Sequence, residues 1–356
     1  MANNWQGCAG SWRMAEVKGI NREPLSAWLA QALPGHPPPY DFALVAAGGS
    51  NLTYIVGDGG GRAFVLRRPP VRARIATAHD MRREYRIMRA LSGSGVPVPE
   101  MLAWCDDPAV NGAEFYCMEK VEGHILRDLA ATGTMSAAAC ERASDSLIEG
   151  QVRLHQVDLE AAGLADLARH EHYLERQLKR WATQVEAGAT RDLPLLNRLH
   201  RALAASVPEP QTAPGLVHGD YRFDNVVLDG DWNLAAVLDW ELCTIGDPVA
   251  DFVWSLCYWA EPEDSLTWLM DPPTRNPNFP RRQTVLETYQ ARAGLTLRHL
   301  DWYLAFSWWK QACIVEGVYA RLQKGAGGGM KVESLERIAA RVERYLQRAD
   351  SILQAA

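Results

Sequence analysis

The sequence lacks the features that mark membrane, disulfide-rich and nucleic-acid-binding proteins. No stretch reaches the roughly 18 apolar residues of a membrane-spanning helix, and the N-terminal segment has no apolar core of a secretory signal. The seven cysteines are scattered and never form Cys-x-x-Cys, so neither a disulfide framework nor a zinc ribbon is indicated. A net charge of -6 argues against non-specific binding to nucleic acid. We therefore expect a cytoplasmic protein with no nucleic-acid or membrane partner; a homodimer stays open.

The length of the chain and its hydrophobic pattern indicate two parts that differ in secondary structure. With 356 residues and 47% hydrophobic side chains, the chain can form one large domain or two lobes. Residues 1–20 show little periodicity and are expected to be a disordered or non-native extension. We predict an N-terminal lobe over residues 21–119, which is rich in strand patterns, and a larger, mainly helical C-terminal lobe over residues 120–356. The fold class is therefore predicted as α+β.

Local patterns support this division. The runs "TYIV" and "AFVLR" are rich in β-branched and aromatic residues, and "GDGGG" between them is typical of a hairpin turn. A helix is predicted to begin near Met81. Further amphipathic helices are predicted at about 136–157, 170–187, 194–205, 247–260, 283–293, 299–323 and 331–353.

A polar cluster stands between short apolar runs in "LVHGDYRFDNVVLD", residues 216–229. Asp220 and Asn225 are five positions apart, and Asp239 ends the next apolar run. Phosphoryl transfer from ATP needs a carboxylate to accept the hydroxyl proton, and amide and carboxylate oxygens to hold Mg²⁺ against the phosphates. Protein kinases use the spacing H-R-D-x-x-x-x-N for the first pair. An isolated cluster of this kind is also compatible with a hydrolytic metal site or a polar turn.

The segments "VHGDYRFDN" and "AVLDWELCTIGDPVADFVW" together resemble the aminoglycoside phosphotransferase family of kinase-like enzymes. The resemblance implies a bilobal protein-kinase-like fold, with ATP and Mg²⁺ as cofactors. It also implies that Asp220 is the catalytic base and that Asn225 and Asp239 are Mg²⁺ ligands. His218 is expected to fix the loop by hydrogen bonding. Asp247, Asp251 and His155 match family positions too and are expected to be structural.

By the same resemblance, the N-terminal lobe supplies the nucleotide-binding groups. Small residues between two strands would let backbone N–H groups approach the phosphates; these are Gly48, Gly49, Ser50 and Asn51. The backbone near Glu119 is expected to meet the adenine, at the hinge between the lobes. A plain hairpin turn is an equal interpretation of the glycine pair.

Arg67 occupies the strand position where the kinase-like fold has a lysine for the phosphates, and Glu84 stands where the partner of that lysine would be. Arginine is a departure from the family pattern, but a guanidinium is a permanently charged, bidentate phosphate ligand. Arg68 is the alternative, because strand alternation directs only one of the two to the nucleotide side.

The C-terminal segment "QARAGLTLRHLDWYLAFSWWKQACIVEGVYARLQKG", together with "FVLRRPP" of the N-terminal part, resembles the branch of the family related to the kinase-like domain fused to some acyl-CoA dehydrogenases. This resemblance implies a small-molecule hydroxyl acceptor, a hydroxyacyl compound or another metabolite rather than an aminoglycoside. Candidates for lining an acceptor pocket are Trp302, Trp308, Trp309 and Tyr319, although aromatic residues at helical spacing more often pack in a core.

Three functions are consistent with these residues. The first is an ATP- and Mg²⁺-dependent phosphotransferase that acts on an alcohol group. The second is a metal-dependent hydrolase in which His218, Asp220 and Asp239 bind the metal. The third is a nucleotide-binding pseudokinase that acts through its surface.

Overall fold

The structure is a computed structural model that describes residues 17–47, 51–71, 80–168, 171–325 and 334–355. The chain forms two compact units. The first unit runs to Gly123 and also contains Ala235–Glu241; the second contains His124–Leu234 and the chain from Leu242 onward. Within the described residues, no helix combines the length and the apolar character that crossing a membrane requires. Most of the predicted 1–20 extension lies outside the described residues.

The first unit is built on a five-stranded antiparallel sheet of order β1-β2-β3-β5-β4. Its elements, in chain order, are α1 (Arg22–Ala32), β1 (Asp41–Ala47), β2 (Leu52–Gly57), β3 (Ala63–Arg68), α2 (Met81–Leu91), β4 (Met101–Cys105), α3 (Pro108–Asn111) and β5 (Phe115–Glu119). The predicted hairpin is present: β2 and β3 pair in register, and the Asp58 carboxylate accepts hydrogen bonds from two N–H groups in the turn. Helix α1 was not predicted.

Successive side chains of β3 point to opposite faces of the sheet. Phe64 and Leu66 are fully buried on one face, where they join a core that includes Leu25 and Leu29 of α1. Each such side chain contributes about 1.5–3 kcal/mol through burial. Arg67 belongs to the opposite face, because successive residues of a strand point to opposite sides. That face is the one on which Glu84 of α2 is found.

The second unit is mainly helical. Its helices are α4 (Leu129–Thr132), α5 (Ala137–His155), α6 (Tyr173–Gly188), α7 (Pro194–Ala205), α8 (Pro248–Tyr258), α9 (Arg282–Ala293), α10 (Leu300–Gln323) and α11 (Leu335–Ala355). The strands that follow α7 are β6 (Gly215–Val217), β7 (Val226–Leu228), β8 (Leu234–Val237) and β9 (Thr244–Gly246), and the last residues of β8 lie in the first unit. Helix α10 is buried along most of its length and packs against α6, α8 and α11.

The predicted α+β class, with a β-rich N-terminal part and a larger helical C-terminal part, is confirmed. The seven long helices that the amphipathic pattern predicts are all present, with ends that differ by a few residues. Strands β6 and β9 form an antiparallel pair in the second unit. This short pair positions the loop that begins at His218.

Candidate active site

Arg67 is the centre of a charged network in the first unit. Its Nη1 lies 3.1 Å from Glu84 Oε2, and its Nη2 donates a hydrogen bond of 2.8 Å to Asp239 Oδ1. Burial alone would lower the pKa of Arg67, but Tyr116, Glu84 and Asp239 outweigh burial and raise it. The guanidinium is therefore permanently charged and held by two carboxylates.

Glu84 is held on every side by hydrogen-bond donors. The Tyr116 hydroxyl donates to Oε2 and the Asn51 amide donates to Oε1, both at 2.9 Å. The Glu84 side chain is only 2% exposed. Burial raises its pKa, and the Arg67 guanidinium opposes that rise. The network fixes the position of the guanidinium on the strand.

Arg68 lies on the other face of the same strand. Its Nη1 donates to the carbonyl oxygens of Asn111 (2.7 Å) and Gly19, and its Nε donates to that of Pro69 at 3.2 Å. These bonds tie α3 and the segment before α1 to the sheet. Of the two arginines that the sequence leaves open, the structure therefore brings Arg67, and not Arg68, to Glu84 and Asp239.

Asp239 stands at an unusual backbone position. Its φ is 63°, in the left-handed region that non-glycine residues seldom adopt. The next residue, Trp240, is fully buried, and its indole donates to Val237 O at 3.0 Å, which holds the turn. Such backbone strain occurs often at functional sites. The turn leaves the Asp239 side chain 36% exposed beside Arg67.

Asp220 and Asn225 are joined directly in the second unit. The Asn225 Nδ2 donates to the Asp220 carbonyl oxygen (2.8 Å) and to its Oδ2 (2.9 Å). Arg222 Nε donates to both carboxylate oxygens of Asp220 at 3.2 Å, and its Nη1 donates to Asp224 Oδ2 at 2.6 Å. Because the amide nitrogen of Asn225 is used on Asp220, its Oδ1 is the atom that can face a cation.

Asp251 of α8 binds the backbone of the same loop. Its carboxylate accepts hydrogen bonds from the backbone N–H of His218 (3.1 Å) and of Gly219 (2.8 Å), and lies 3.1 Å from His155 Nε2. Burial would raise the pKa of Asp251, but His155, His218 and the Gly219 N–H together lower it. His155 Nδ1 in turn meets the Tyr289 hydroxyl at 2.7 Å. A buried ionised carboxylate therefore fixes the backbone that carries Asp220.

Gly219 is required between the histidine and the aspartate. Its φ is 84°, and a Cβ atom there would lie 3.0 Å from Leu242 Cβ and 3.2 Å from Leu242 O. His218 itself is fully buried, and its Nδ1 accepts a hydrogen bond from the Asp220 N–H at 3.3 Å. His218 thus has the scaffold position that the resemblance implies.

The remaining expected nucleotide residues are placed differently. Gly48, Gly49 and Ser50 lie outside the described residues. Asn51 is buried and its amide is committed to Glu84, so its side chain supports the charged network. Glu119 ends β5 with an exposed side chain, and its N–H donates to Glu100 O at 2.8 Å.

Two residues around Asp220 were missed in the sequence. Arg222 binds Asp220 and Asp224. Burial, and then the charge of the Asp220 carboxylate, raise the pKa of Tyr258. The Arg222 guanidinium also stacks 4.9 Å above the Tyr258 ring. A cation two residues after the aspartate was a visible signal for the first of them. Tyr258 belongs to α8 and lies nearly forty positions further along the chain. No signal in the sequence linked it to Asp220.

The sequence matches the model of the phosphotransferase enzyme family over residues 41–306. The chain belongs to this family. Among curated proteins, acyl-CoA dehydrogenase family member 11 of Gallus gallus is 36% identical over 313 residues, which make up 83% of this chain and 39% of that protein. The chain thus spans about two fifths of the length of that relative. The predicted family and its acyl-CoA-dehydrogenase-linked branch are confirmed.

Solved structures show the same fold. One, from Ralstonia eutropha JMP134, is provisionally described as an aminoglycoside phosphotransferase; its TM-score is 0.79 at 29% identity, with 95% of this chain and 99% of that one covered. The GDP complex of aminoglycoside 2'-phosphotransferase-IIIa gives 0.64 at 16% identity, with 92% and 99% covered. The predicted kinase-like fold and the enzyme class, a phosphotransferase with an alcohol group as acceptor, are therefore confirmed.

Proposed function

We propose that the protein transfers the γ-phosphate of ATP, with Mg²⁺, to a hydroxyl group of a small molecule. The observation that carries this proposal is the hydrogen bond from the Asn225 amide to the Asp220 carboxylate. It holds a carboxylate, which can accept a proton, beside an amide oxygen, which can bind a metal. No comparable arrangement is needed for a polar turn.

In this proposal, Asp220 orients the acceptor hydroxyl and takes its proton as the oxygen attacks phosphorus. Arg222 and Asn225 hold both carboxylate oxygens, so the orientation is set before the acceptor arrives. Arg67 binds the donor phosphates with its remaining donor capacity, because its Nε has no hydrogen-bond partner among the described residues. Backbone groups near Gly48, Gly49, Ser50 and Glu119 are proposed to bind the rest of the nucleotide.

The residues fit a magnesium ion. Mg²⁺ prefers oxygen ligands, and the atoms proposed for it are Asn225 Oδ1 and the carboxylate of Asp239. Asn225 commits its nitrogen elsewhere, and Asp239 uses Oδ1 for Arg67. When bound, the ion would neutralise charge on the phosphates. In this proposal, the side chains of Asn225 and Asp239 supply two of the oxygen ligands.

The alternative functions have less support. A hydrolase would need His218 as a metal ligand, but this histidine is buried and its Nδ1 accepts from the loop backbone. A pseudokinase would not need the intact set of Asp220, Asn225 and Asp239. We propose a metabolite such as a hydroxyacyl compound as the acceptor, because the acyl-CoA-dehydrogenase-named relative shares the sequence over 83% of this chain.

The first test is an Asp220→Asn substitution. Removing the base is expected to lower ATP-dependent turnover by about 10²–10⁴-fold, while nucleotide binding is kept. The measurement is ADP release with ATP or GTP over a panel of hydroxylated metabolites and aminoglycosides. Asp231→Asn, in an exposed turn of the same segment, is the matched control and should not change turnover. Full turnover by Asp220→Asn would refute the proposal.

A further inference from the structure

A cavity of about 500 Å³ lies in the first unit, where the segment before α1 meets the end of β3 and the end of α3. Residues 17–21, Arg68, Val71 and the pair Asn111 and Gly112 line it. Its volume is in the range that small-molecule sites occupy in proteins. None of these residues belongs to the set that we propose for the phosphoryl transfer, so the cavity is separate from the candidate active site.

Arg68 brings a buried positive charge to this cavity. The residue is only 5% exposed. Its Nη1 and Nε donate to backbone carbonyl oxygens, and its Nη2 makes no hydrogen bond with any residue that the structure describes. Burial lowers the pKa of Arg68, and the group that opposes this decrease is Tyr54, which is not a carboxylate. Because a buried charge is costly unless it is paired, Arg68 lacks a counter-charge that a ligand can supply.

Asn111 adds a buried donor without an acceptor. The residue is fully buried, and its Oδ1 accepts a hydrogen bond of 2.8 Å from the Asn21 N–H. This bond identifies the oxygen of the amide, because a backbone N–H needs an acceptor. The Nδ2 on the other side is buried and has no acceptor within the described ranges. Buried donors are normally satisfied, so an unmet one in the wall of a cavity indicates a missing acceptor.

Two donors of the cavity converge beside Gly112. A Cβ atom at this glycine would lie 3.9 Å from Arg68 Nη2 and 3.9 Å from Asn21 Nδ2. Asn21 precedes α1, but its side chain makes no capping hydrogen bond, so its amide is available to a ligand. Gly112 has a φ of 76° and no side chain. The space between the two donors therefore stays open.

The surroundings of these donors favour negative charge. Lys18 lines the cavity with an exposed side chain, and α1 directs its N-terminus, which carries partial positive charge, toward the same place. Glu23, the acidic residue in the first turn of α1, is exposed and does not line the cavity. Among the described residues that form the lining, none is acidic.

We propose that this cavity binds a small organic phosphate monoester, whose phosphate group accepts hydrogen bonds from Arg68, Asn21 and Asn111. A phosphate monoester carries a charge of about −1.5 to −2 at pH 7 and has three acceptor oxygens. It thus matches two cations, Arg68 and Lys18, and several donors that lack acceptors. Charge-assisted hydrogen bonds of this kind are the strong ones.

The rest of the cavity suits the organic part of such a ligand. The volume exceeds that of a single phosphate group, and Val17, Ile20 and Val71 provide apolar surface in the lining. The described lining contains no carboxylate that could act as a base and no cysteine or serine nucleophile. The cavity is therefore proposed as a binding site, without chemistry of its own.

Binding of phenyl phosphate, measured by calorimetric titration at pH 7, tests the proposal. Wild-type protein should bind phenyl phosphate, bind benzoate several-fold more weakly because it has a single charge, and not bind phenol. The titration is repeated with excess ADP and Mg²⁺, and the affinity for phenyl phosphate should not change, because the proposed nucleotide site is a different one. The readout does not involve turnover, so it is independent of the proposed phosphotransferase activity.

Two substitutions locate the binding site. Asn111→Asp keeps the shape of the side chain but places a carboxylate in the wall, and should lower the affinity roughly ten-fold or more. Lys18→Met removes an exposed charge and should lower the affinity by at most about five-fold. The matched controls are Asn197→Asp, which adds the same charge at an exposed position of α7, and Arg62→Met, which removes an exposed cation of the first unit. Both should bind phenyl phosphate like the wild type.

Several results would overturn the proposal. They are a wild-type protein that does not bind phenyl phosphate at millimolar concentration, an equal affinity of wild type and Asn111→Asp, and displacement of phenyl phosphate by ADP, which would assign the anion to the nucleotide site. Equal affinities for benzoate and phenyl phosphate would refute the phosphate class. The melting temperature of each variant without ligand shows that it is folded, and Lys18→Met, at an exposed position, keeps the test valid if Asn111→Asp does not fold.

Discussion

Each unit contains a cation that is largely enclosed by other side chains, and the surroundings shift the pKa values of the two cations in opposite directions. Arg67 in the first unit is 11% exposed and contacts two carboxylates, so its pKa is raised. Lys310 in the second unit is packed on tryptophan rings, and burial lowers its pKa. A buried charge is tolerated when paired and is costly when it is not. The first cation is thus part of the folded framework, whereas the ammonium group of the second is destabilised by its surroundings.

Among substitutions of these cations and their partners, Arg67→Met is expected to have the largest effect on stability. The substitution leaves Glu84 and Asp239 without their shared partner, and we expect the free energy of unfolding to fall by about 3 kcal/mol, the lower end for a broken buried pair, because Asp239 is partly exposed. ATP-dependent turnover should also be lost. Urea denaturation at pH 7 measures the first effect and ADP release the second.

Arg62→Met is the control for Arg67→Met, since it removes an arginine from the same hairpin whose side chain is 61% exposed. It should leave stability nearly unchanged. If both variants were equally stable, the Arg67 network would not be the framework that its contacts indicate.

A smaller effect is expected from Asp251→Asn, which weakens the hydrogen bonds to His218 and Gly219. A charged acceptor in such bonds contributes about 1.5–3 kcal/mol, so the variant should unfold at lower urea and show a lower kcat. The pKa of Asp251 is lowered in the folded protein. Its stabilising effect is therefore complete above the unfolded pKa of about 4 and is lost as the pH falls through the folded pKa. Equal acid stability of variant and wild type would contradict this.

The smallest effect has the opposite sign. Lys310→Met should raise the free energy of unfolding at pH 7 by about 1–2 kcal/mol, because the desolvation of the ammonium exceeds its attraction to the tryptophan rings. The lysine pKa is about 8 when folded and about 10.4 when unfolded. Between these values the unfolded chain binds more protons, so wild-type stability rises with pH. The difference between the two proteins should therefore shrink from pH 8 to pH 10, as measured by urea denaturation. A destabilised variant at pH 7 would show that Lys310 belongs to the framework.

Much of the fold was predictable because the periodic signals are strong. The apolar spacing of α5 to α11 and the "GDGGG" turn indicate elements whose bounds agree with the structure within a few residues. Helix α1 was missed because only Leu25 and Leu29 of its eleven residues are buried, which is a weak pattern. The spacing of Asp220 and Asn225 was informative, because a single loop places them in contact.

The sequence by itself determined the family, the two-part α+β division and the residues proposed for the phosphate chemistry, because these depend on local spacing and periodicity. Only the tertiary structure decided between Arg67 and Arg68, since the choice depends on which face of β3 meets Glu84 and Asp239. Only the tertiary structure, likewise, brought Lys310 to Trp181 and Trp254. Those residues lie on three helices, and no local pattern in the sequence shows which side chains of separate helices will pack together.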